Sequence, residues 1–471
     1  MIDVLAAVAA ANPAAVAHQI RERSMTHGEL AVRSDALATA IAARRPRGAP
    51  VVVRGHKEPE MLVAFLAAIK AGHPYVPIDD SLPSTRVASI LRTCGDAALV
   101  LSTADIMMLS AGNQRPPLAA ALRLDEAVYI MFTSGSTGEP KGVEITLANL
   151  AGFVTWASAV HPVGGRRRFL NQAPFSFDLS VMDLYLALTT GGTLVSVDRA
   201  MLSNPLELRA ALASADLEVW VSTPSFAEMC LRDRSFNAAC LPRLDTFLFC
   251  GETLSPACVR GLHTRFPGAR VYNLYGPTEA TVAVTSILVD ERLLDRWPVL
   301  PLGRPRPDTR VFIDAGEIVI EGPCVSPGYR GAPELTARVF DGVPPRRRYR
   351  TGDAGHLDDG ELFFAGRLDH QVKLFGHRIE LDDVAANLTA IADVAQAVVL
   401  PIIREGRCEA LAAFVVPREG TILDLEALRS ELRTRMPAYM LPRDIRICDE
   451  IPMTTNGKVD RGQLATQLTP Q

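Results

Sequence analysis

Short apolar runs alternate with stretches of helical periodicity along most of the chain. "PVVV" (Pro50 to Val53) predicts a buried strand, "PEMLVAFLAAIKAG" a helix closed by Gly72, and "YVPI" the next strand. Thr26 to Glu29 ("THGE") has capping-box spacing and opens an Ala- and Leu-rich helical pattern. The alternation recurs at "RFLNQAPF", "GGTLVSV", "LEVWVSTPS", "TFLFCGE" and "ARVYNLYG", each run set off by a turn or a helical pattern. Apolar runs of this kind suit strands buried on both faces, so the pattern predicts mostly parallel sheets covered by helices, a layered α/β body.

After "GRLDHQVKLFGHRIE" the texture changes to a helix from Leu381, strands at "AQAVVLPII" and "CEALAAFVVP", and a helix from Leu423. We therefore expect a large N-terminal α/β domain over residues 1–368 and a smaller, mobile α+β domain over 369–471. With no Pro- or Gly-rich tether at the junction, Asp369 reads as a short hinge. The Arg-rich "PPRRRYR" reads as a solvated loop.

Composition narrows the function. The 471 residues are 48% apolar and 22% charged, and 49 Lys and Arg against 53 Asp and Glu leave a formal charge of -4. That balance gives no general attraction to nucleic acid or an anionic membrane. Eight cysteines form no CxxC pair and read as reduced, cytosolic thiols; Cys230, Cys240, Cys250 and Cys258 lack zinc-ligand spacing. The apolar N-terminus has no leading basic residue, contains Asp3 and is broken by Pro13, so it reads as a surface helix and not a signal peptide. No apolar run reaches the roughly 18 residues that span a bilayer. The expectation is a cytoplasmic protein without membrane insertion.

Four stretches carry candidate chemistry. "FTSGSTGEPKGVE" lies between the strand "AVYIMF" and a helix that Thr146 can cap. Gly135 and Gly138 let main-chain N–H groups turn toward an anion, Thr133, Ser134, Ser136 and Thr137 add hydroxyls, and Lys141 adds a charge. Such a loop suits pyrophosphate, although Lys141 precedes Gly142, unlike the Lys-Ser/Thr order of a P-loop ATPase. "NLYGPTEAT" ends a strand: Asn273 can read an adenine edge, Tyr275 can stack on the base, Thr278 can bond a phosphate oxygen and Glu279 can ligate Mg²⁺. Leu274, Gly276 and Pro277 complete that nucleotide-binding run. Asp353 in "YRTGDAG" can take two ribose hydroxyls and Arg367 in "GRLD" can add donors, while "TTNGKVDR" presents Lys458 after an Asn-Gly turn.

Together and in this order these residues resemble the adenylate-forming superfamily of acyl- and aryl-CoA synthetases, luciferases and nonribosomal peptide synthetase adenylation domains, across nearly the whole chain. The resemblance implies that the Gly/Ser/Thr loop closes over the β- and γ-phosphates of ATP while a carboxylate attacks the α-phosphorus. Thr278, Glu279 with Mg²⁺ and Lys458 would then offset the developing charge. It implies further that Asp178, in "NQAPFSFDLSVMDLY", holds the α-ammonium of an amino acid, though the same residue could cap the helix that follows. The pocket-lining positions match Leu179, Met182, Leu248, Cys250, Leu274, Val282 and Ala283, with Lys458 at the carboxylate; all but Lys458 are apolar or nearly so, leaving room for about a methyl group. No second charge is present for a charged substrate side chain. "STPSFAEMCL", "FLFCGETL" and "YGPTEATVAVTS" bring the likeness nearest to the D-alanine:D-alanyl carrier protein ligases of teichoic acid modification.

Alanine is therefore the expected substrate, in its D form, with L-alanine, glycine, serine or proline as the alternative within the same chemistry. Discrimination of hand by one methyl group is worth only about 1–3 kcal/mol. Cys250 reads as lining and not as a nucleophile, since these stretches contain no His to activate it. The family rotates its small domain, which would place the hinge at Asp369 and bring Lys373 and Gly376 of "KLFGHRIE" to the thiol tunnel. With the chain ending at Gln471 soon after Lys458, the expected acceptor is the phosphopantetheine of a separate carrier protein, served by a monomer. Two features depart from the family: the hairpin "RVFIDAGEIVIEGP" is short, and His377 stands where an aromatic or aliphatic residue is usual.

Overall fold

A computed structural model describes residues 1–112, 121–135, 139–404, 407–453 and 459–468. The chain forms two compact units. One comprises Met1–Asp80, Cys94–Met131 and Gly142–Gly366; the other gathers Ser81–Thr93, Phe132–Lys141 and Arg367–Gln471.

In the first unit a nine-stranded sheet has a parallel centre, in spatial order Arg270–Tyr275, Thr246–Phe249, Val219–Ser222, Arg168–Asn171, Thr193–Ser196 and Val16–Ile20, with antiparallel strands at both edges. Most residues of these strands are buried because both faces are covered. Phe169, Val219, Val221 and Leu248 enter one core, whereas Leu170, Trp220, Phe247 and Phe249 enter a second on the opposite face. A six-stranded sheet built around Val51–Gly55, Tyr75–Asp79 and Ala127–Thr133 shares the first core.

The element boundaries follow local chemistry. Thr26 and Thr146 each accept from the third residue of their helices in reciprocal capping boxes, with Glu29 and Asn149. Gly72 ends Pro59–Ala71 in the left-handed region at φ 82°. The N-terminal helix, Ile2–Ala11, buries no residue fully and stops before Pro13.

The expectation of mostly parallel sheets misses a third sheet, which is antiparallel: Arg310–Asp314, Glu317–Glu321, Arg348–Asp358 and Phe340–Asp341, with Glu361–Arg367 on Arg348–Asp358. Its first hairpin is short because Ala315 and Gly316, at φ 51° and 86°, make a two-residue turn. The "PPRRRYR" run is also more than a solvated loop. Arg348–Asp358 begins within it, and the Arg347 guanidinium donates to the carbonyls of Ser326, at 2.8 Å, and Pro327, at 2.5 Å.

In the second unit, hairpin Gln371–Leu374/His377–Glu380 leads into helix Leu381–Thr389. A three-stranded sheet of Val394–Arg404, Arg407–Pro417 and Asp444–Ile447 then packs on the helices through Val384, Leu388, Leu411, Val415, Leu428 and Leu432. No helix among the described residues is long and apolar enough to cross a membrane.

Candidate active site

The carboxyl ends of parallel strands deliver several candidate residues of the first unit, as expected where ligands bind α/β sheets, whereas Asp353 lies on the antiparallel strand Arg348–Asp358. Strand Arg270–Tyr275 places Asn273 and Tyr275 and runs into Gly276, Pro277 and the short 3-10 turn Thr278–Ala280. Gly276 is required by packing: a Cβ there would stand 2.5 Å from the Ala283 Cα and 2.9 Å from the Val282 carbonyl. Thr281 and Val282 follow at φ 63° and 68°, an unusual pair for β-branched residues. The turn is held by the Thr281 hydroxyl donating to the Cys324 carbonyl at 2.7 Å and by Val284 N–H donating to the Tyr275 carbonyl at 2.8 Å.

Asn273, Tyr275, Glu279 and Asp353 are each positioned by a neighbour. The Tyr275 hydroxyl donates to Asp353 Oδ2 at 2.6 Å, tying the ring to the carboxylate. Asp353 is further set by its own N–H donating to the Thr351 hydroxyl at 2.9 Å. Glu279, fully buried, accepts from the Tyr329 hydroxyl at 2.8 Å. Tyr329 does not stand out in the sequence, because it acts on a residue 50 positions away, whereas Thr351 lies in the same motif as Asp353. Asn273 spends one amide hydrogen on the Pro301 carbonyl, at 2.9 Å.

Asp178 occupies the N-cap position of helix Leu179–Thr190, yet it has helical φ and ψ and makes no side-chain capping bond. The capping alternative is therefore not the one adopted. Burial and, after it, the Asp178 charge push the Tyr129 phenol well above its ordinary value, and the Tyr129 hydroxyl has no hydrogen-bond partner among the described residues. Leu179, Met182, Leu248, Cys250, Leu274, Val282 and Ala283 are all buried in a single apolar cluster. Leu248 lies in strand Thr246–Phe249 and Cys250 directly follows its end. The Cys250 thiol donates to the Val282 carbonyl at 3.6 Å.

Of the Gly/Ser/Thr loop, Thr133, Ser134, Gly135 and Lys141 are described, whereas Ser136, Thr137 and Gly138 lie outside the described residues, as does Lys458. Thr133 Oγ1 is buried without a hydrogen-bond partner among those residues, a donor suited to a phosphate oxygen. Gly135 allows close backbone approach, since a Cβ would meet the Glu139 carbonyl oxygen at 2.1 Å. Within the second unit the Ser134 hydroxyl donates to the Arg378 carbonyl at 2.7 Å and accepts from Glu380 N–H at 3.2 Å, and Lys141 Nζ stands 3.3 Å from Glu380 Oε1.

Arg367 donates to Asp369, at 2.9 Å through Nε, and to Gln371 Oε1 at 2.7 Å. Burial works against the Asp369 charge, but the Arg367 bonds outweigh it and hold the carboxyl below its ordinary value. Lys373 lies on the hairpin strand Gln371–Leu374, whose turn needs Phe375 at φ 51° and Gly376 at φ 81°. His377 stacks on Tyr439 at 3.6 Å between ring centres.

Residues 5–330 match the AMP-binding enzyme family and residues 383–458 its C-terminal domain family. A D-alanine--D-alanyl carrier protein ligase of Bacillus cereus (strain B4264) is 44% identical over 494 residues, covering 98% of this chain and 98% of the relative. One of Bacillus anthracis (strain A0248) is 45% identical over 482 residues and covers 95% of each. Among solved structures, the Vibrio cholerae adenylation domain AlmE in complex with glycyl-adenosine-5'-phosphate superposes with a TM-score of 0.85 at 22% identity, over 98% of this chain and 97% of that one, a likeness of fold. The strand-end nucleotide motifs and these full-length matches lead to one assignment: the chain belongs to the AMP-binding enzyme family.

Proposed function

We propose that this ATP-dependent, AMP-forming ligase activates D-alanine and transfers it to the phosphopantetheine thiol of a separate carrier protein. A carboxylate oxygen of the amino acid attacks the α-phosphorus of ATP, the bond to the β-phosphate bridging oxygen breaks, and pyrophosphate leaves. The carrier thiol, deprotonated to solvent, then attacks the acyl carbon, and AMP leaves with the electron pair of the C–O bond. The observation that carries this reading is the carboxylate of Asp178, uncommitted to helix capping, at the head of the helix that supplies Leu179 and Met182 to an apolar, small-substrate lining.

Each residue has a task in the scheme. Asp178 takes the α-ammonium; Cys250, its thiol occupied by the Val282 carbonyl, bounds the methyl pocket. Asn273 and Tyr275 hold the adenine, and Asp353 with Arg367 the ribose. Thr133, Ser134 and Thr278 donate to phosphate oxygens together with the loop residues outside the described set, and Lys141 supplies a charge. Lys458 bridges the substrate carboxylate and the α-phosphate, lowering the barrier by stabilising charge as it develops. Glu279 is the residue that would hold Mg²⁺, a buried carboxylate oxygen suited to a hard cation, and the ion would neutralise phosphate charge. For the second step the small domain, residues 369–471, turns about Asp369, and Lys373 and Gly376 come to the thiol tunnel. We place the protein in the cytoplasm as a monomer.

The test is pyrophosphate exchange over an amino-acid panel. D-Alanine should lead; a lead for glycine, L-alanine, serine or proline would move the assignment to a biosynthetic pathway with the same chemistry, and preference for a bulky or charged amino acid would end both. Steady phosphate release without AMP would point instead to a P-loop-type ATPase.

A further inference from the structure

Lys57 lies in the turn between strand Val51–Gly55 and helix Pro59–Ala71, where a lysine ordinarily faces solvent, yet it is 1% exposed. Its Nζ donates to Asn171 Oδ1 at 2.5 Å, to the Asn171 carbonyl at 3.4 Å and to the Ala173 carbonyl, and it stands 4.9 Å from the centre of the Phe175 ring. Every one of these partners belongs to residues 171–175, the run that leads from the end of a central strand to Asp178.

The other side of the same amide is equally committed. Asn171 Nδ2 donates to Asp183 Oδ2 at 3.1 Å, and Asp183 Oδ1 accepts from Leu184 N–H at 2.7 Å, in the helix that begins one residue after Asp178. The Ser196 hydroxyl donates to Asn171 Oδ1 at 2.7 Å and bonds the His18 ring at 2.8 Å. Burial pushes Lys57 below and Asp183 above their ordinary values, while the Asp183 and Asp79 charges favour the lysine ammonium. Asp79 is itself held by His56 at 2.6 Å and Arg199 at 2.8 Å.

A buried ammonium persists only where its donors are satisfied, so its geometry is exacting. Here both ends of the Asn171–Asp178 run are pinned, one by carbonyls on Lys57, the other by the helix that carries Asp183. We propose that Lys57 is a positioning residue for amino-acid recognition: by clamping residues 171–175 against helix Leu179–Thr190 it fixes where the Asp178 carboxylate meets the substrate ammonium. The assignment rests on the reading of Asp178 as the ammonium ligand.

The test is pyrophosphate exchange with D-alanine and ATP varied separately. Lys57→Met keeps chain length and removes the donor; it should raise the KM for D-alanine about tenfold or more while the KM for ATP and kcat stay within about threefold. Because Lys57→Met leaves Asp183 uncompensated, Lys57→Met/Asp183→Asn, which discards both buried charges, is measured beside it and should show the same selective rise. An unchanged D-alanine KM in a folded variant, an equal loss toward both substrates, or failure of both variants to fold overturns the proposal, since the last two assign Lys57 to the scaffold alone. Asp178→Asn, run in parallel, separates the two levels. If it leaves the D-alanine KM unaltered, the site reading falls and takes Lys57 with it; if it raises that KM while the Lys57 variants do not, only the positioning role falls.

Discussion

At the scale of single residues, several of the candidate groups are held by a fixed partner. The Tyr275–Asp353 bond ties the proposed adenine platform to the proposed ribose ligand, so a change at one is felt at the other. Tyr275→Phe keeps the ring and loses the hydroxyl; it should raise the KM for ATP several-fold, by about 1 kcal/mol of binding, and leave the D-alanine KM unchanged in the exchange assay. Asp178→Asn should do the reverse, raising the D-alanine KM by roughly two orders of magnitude, since the proposed carboxylate–ammonium pair loses one charge. The candidate nucleotide residues stand out in the sequence because they sit in compact motifs, such as the one that closes strand Arg270–Tyr275. Tyr329 and Lys57 do not: a tyrosine and a turn lysine are unremarkable until the fold brings Glu279 and Asn171 to them.

At the scale of elements, caps and periodicity carried most of the information. Thr26 and Thr146 announce their helices through side-chain oxygens, and Thr146→Ala should cost about 1 kcal/mol in urea unfolding. Of the antiparallel third sheet only the first hairpin was legible, because strands such as Arg310–Asp314 and Arg348–Asp358 carry many charged side chains and mimic loop composition. Strain is also hidden from pattern reading. The left-handed residues Thr281 and Val282 have no glycine to signal them, although Gly276, which Val282 and Ala283 approach, is visible. Gly276→Ala must displace the Ala283 backbone, so we expect a lowered melting temperature together with loss of adenylate formation, measured by thermal unfolding and exchange on the same preparation.

At the scale of the whole molecule, the second unit is stitched from three stretches of chain. Arg86, in Ser81–Thr93, lies 3.2 Å from the buried Asp383 carboxylate, which also accepts from Asn387 at 2.9 Å. Burial raises Asp383 to about 6 against the pull of Arg86, with Glu380 adding to the rise. The folded unit thus binds this proton more tightly than the unfolded chain, whose ordinary value is 3.8. The stabilisation is complete below about pH 4 and is lost as pH climbs through about 6, a term of about 3 kcal/mol. Subtracting Asp383→Asn from the parent in urea titrations between pH 4 and pH 7 should reveal that slope.

The threading of Ser81–Thr93 and Phe132–Lys141 into the company of Arg367–Gln471 has a practical corollary. A carboxy-terminal module excised at residue 367, or exchanged wholesale with that of a relative, would leave behind the arginine that neutralises its buried acid and the loop its hairpin grips. Recombination aimed at redirecting carrier choice should therefore transplant all three threads together.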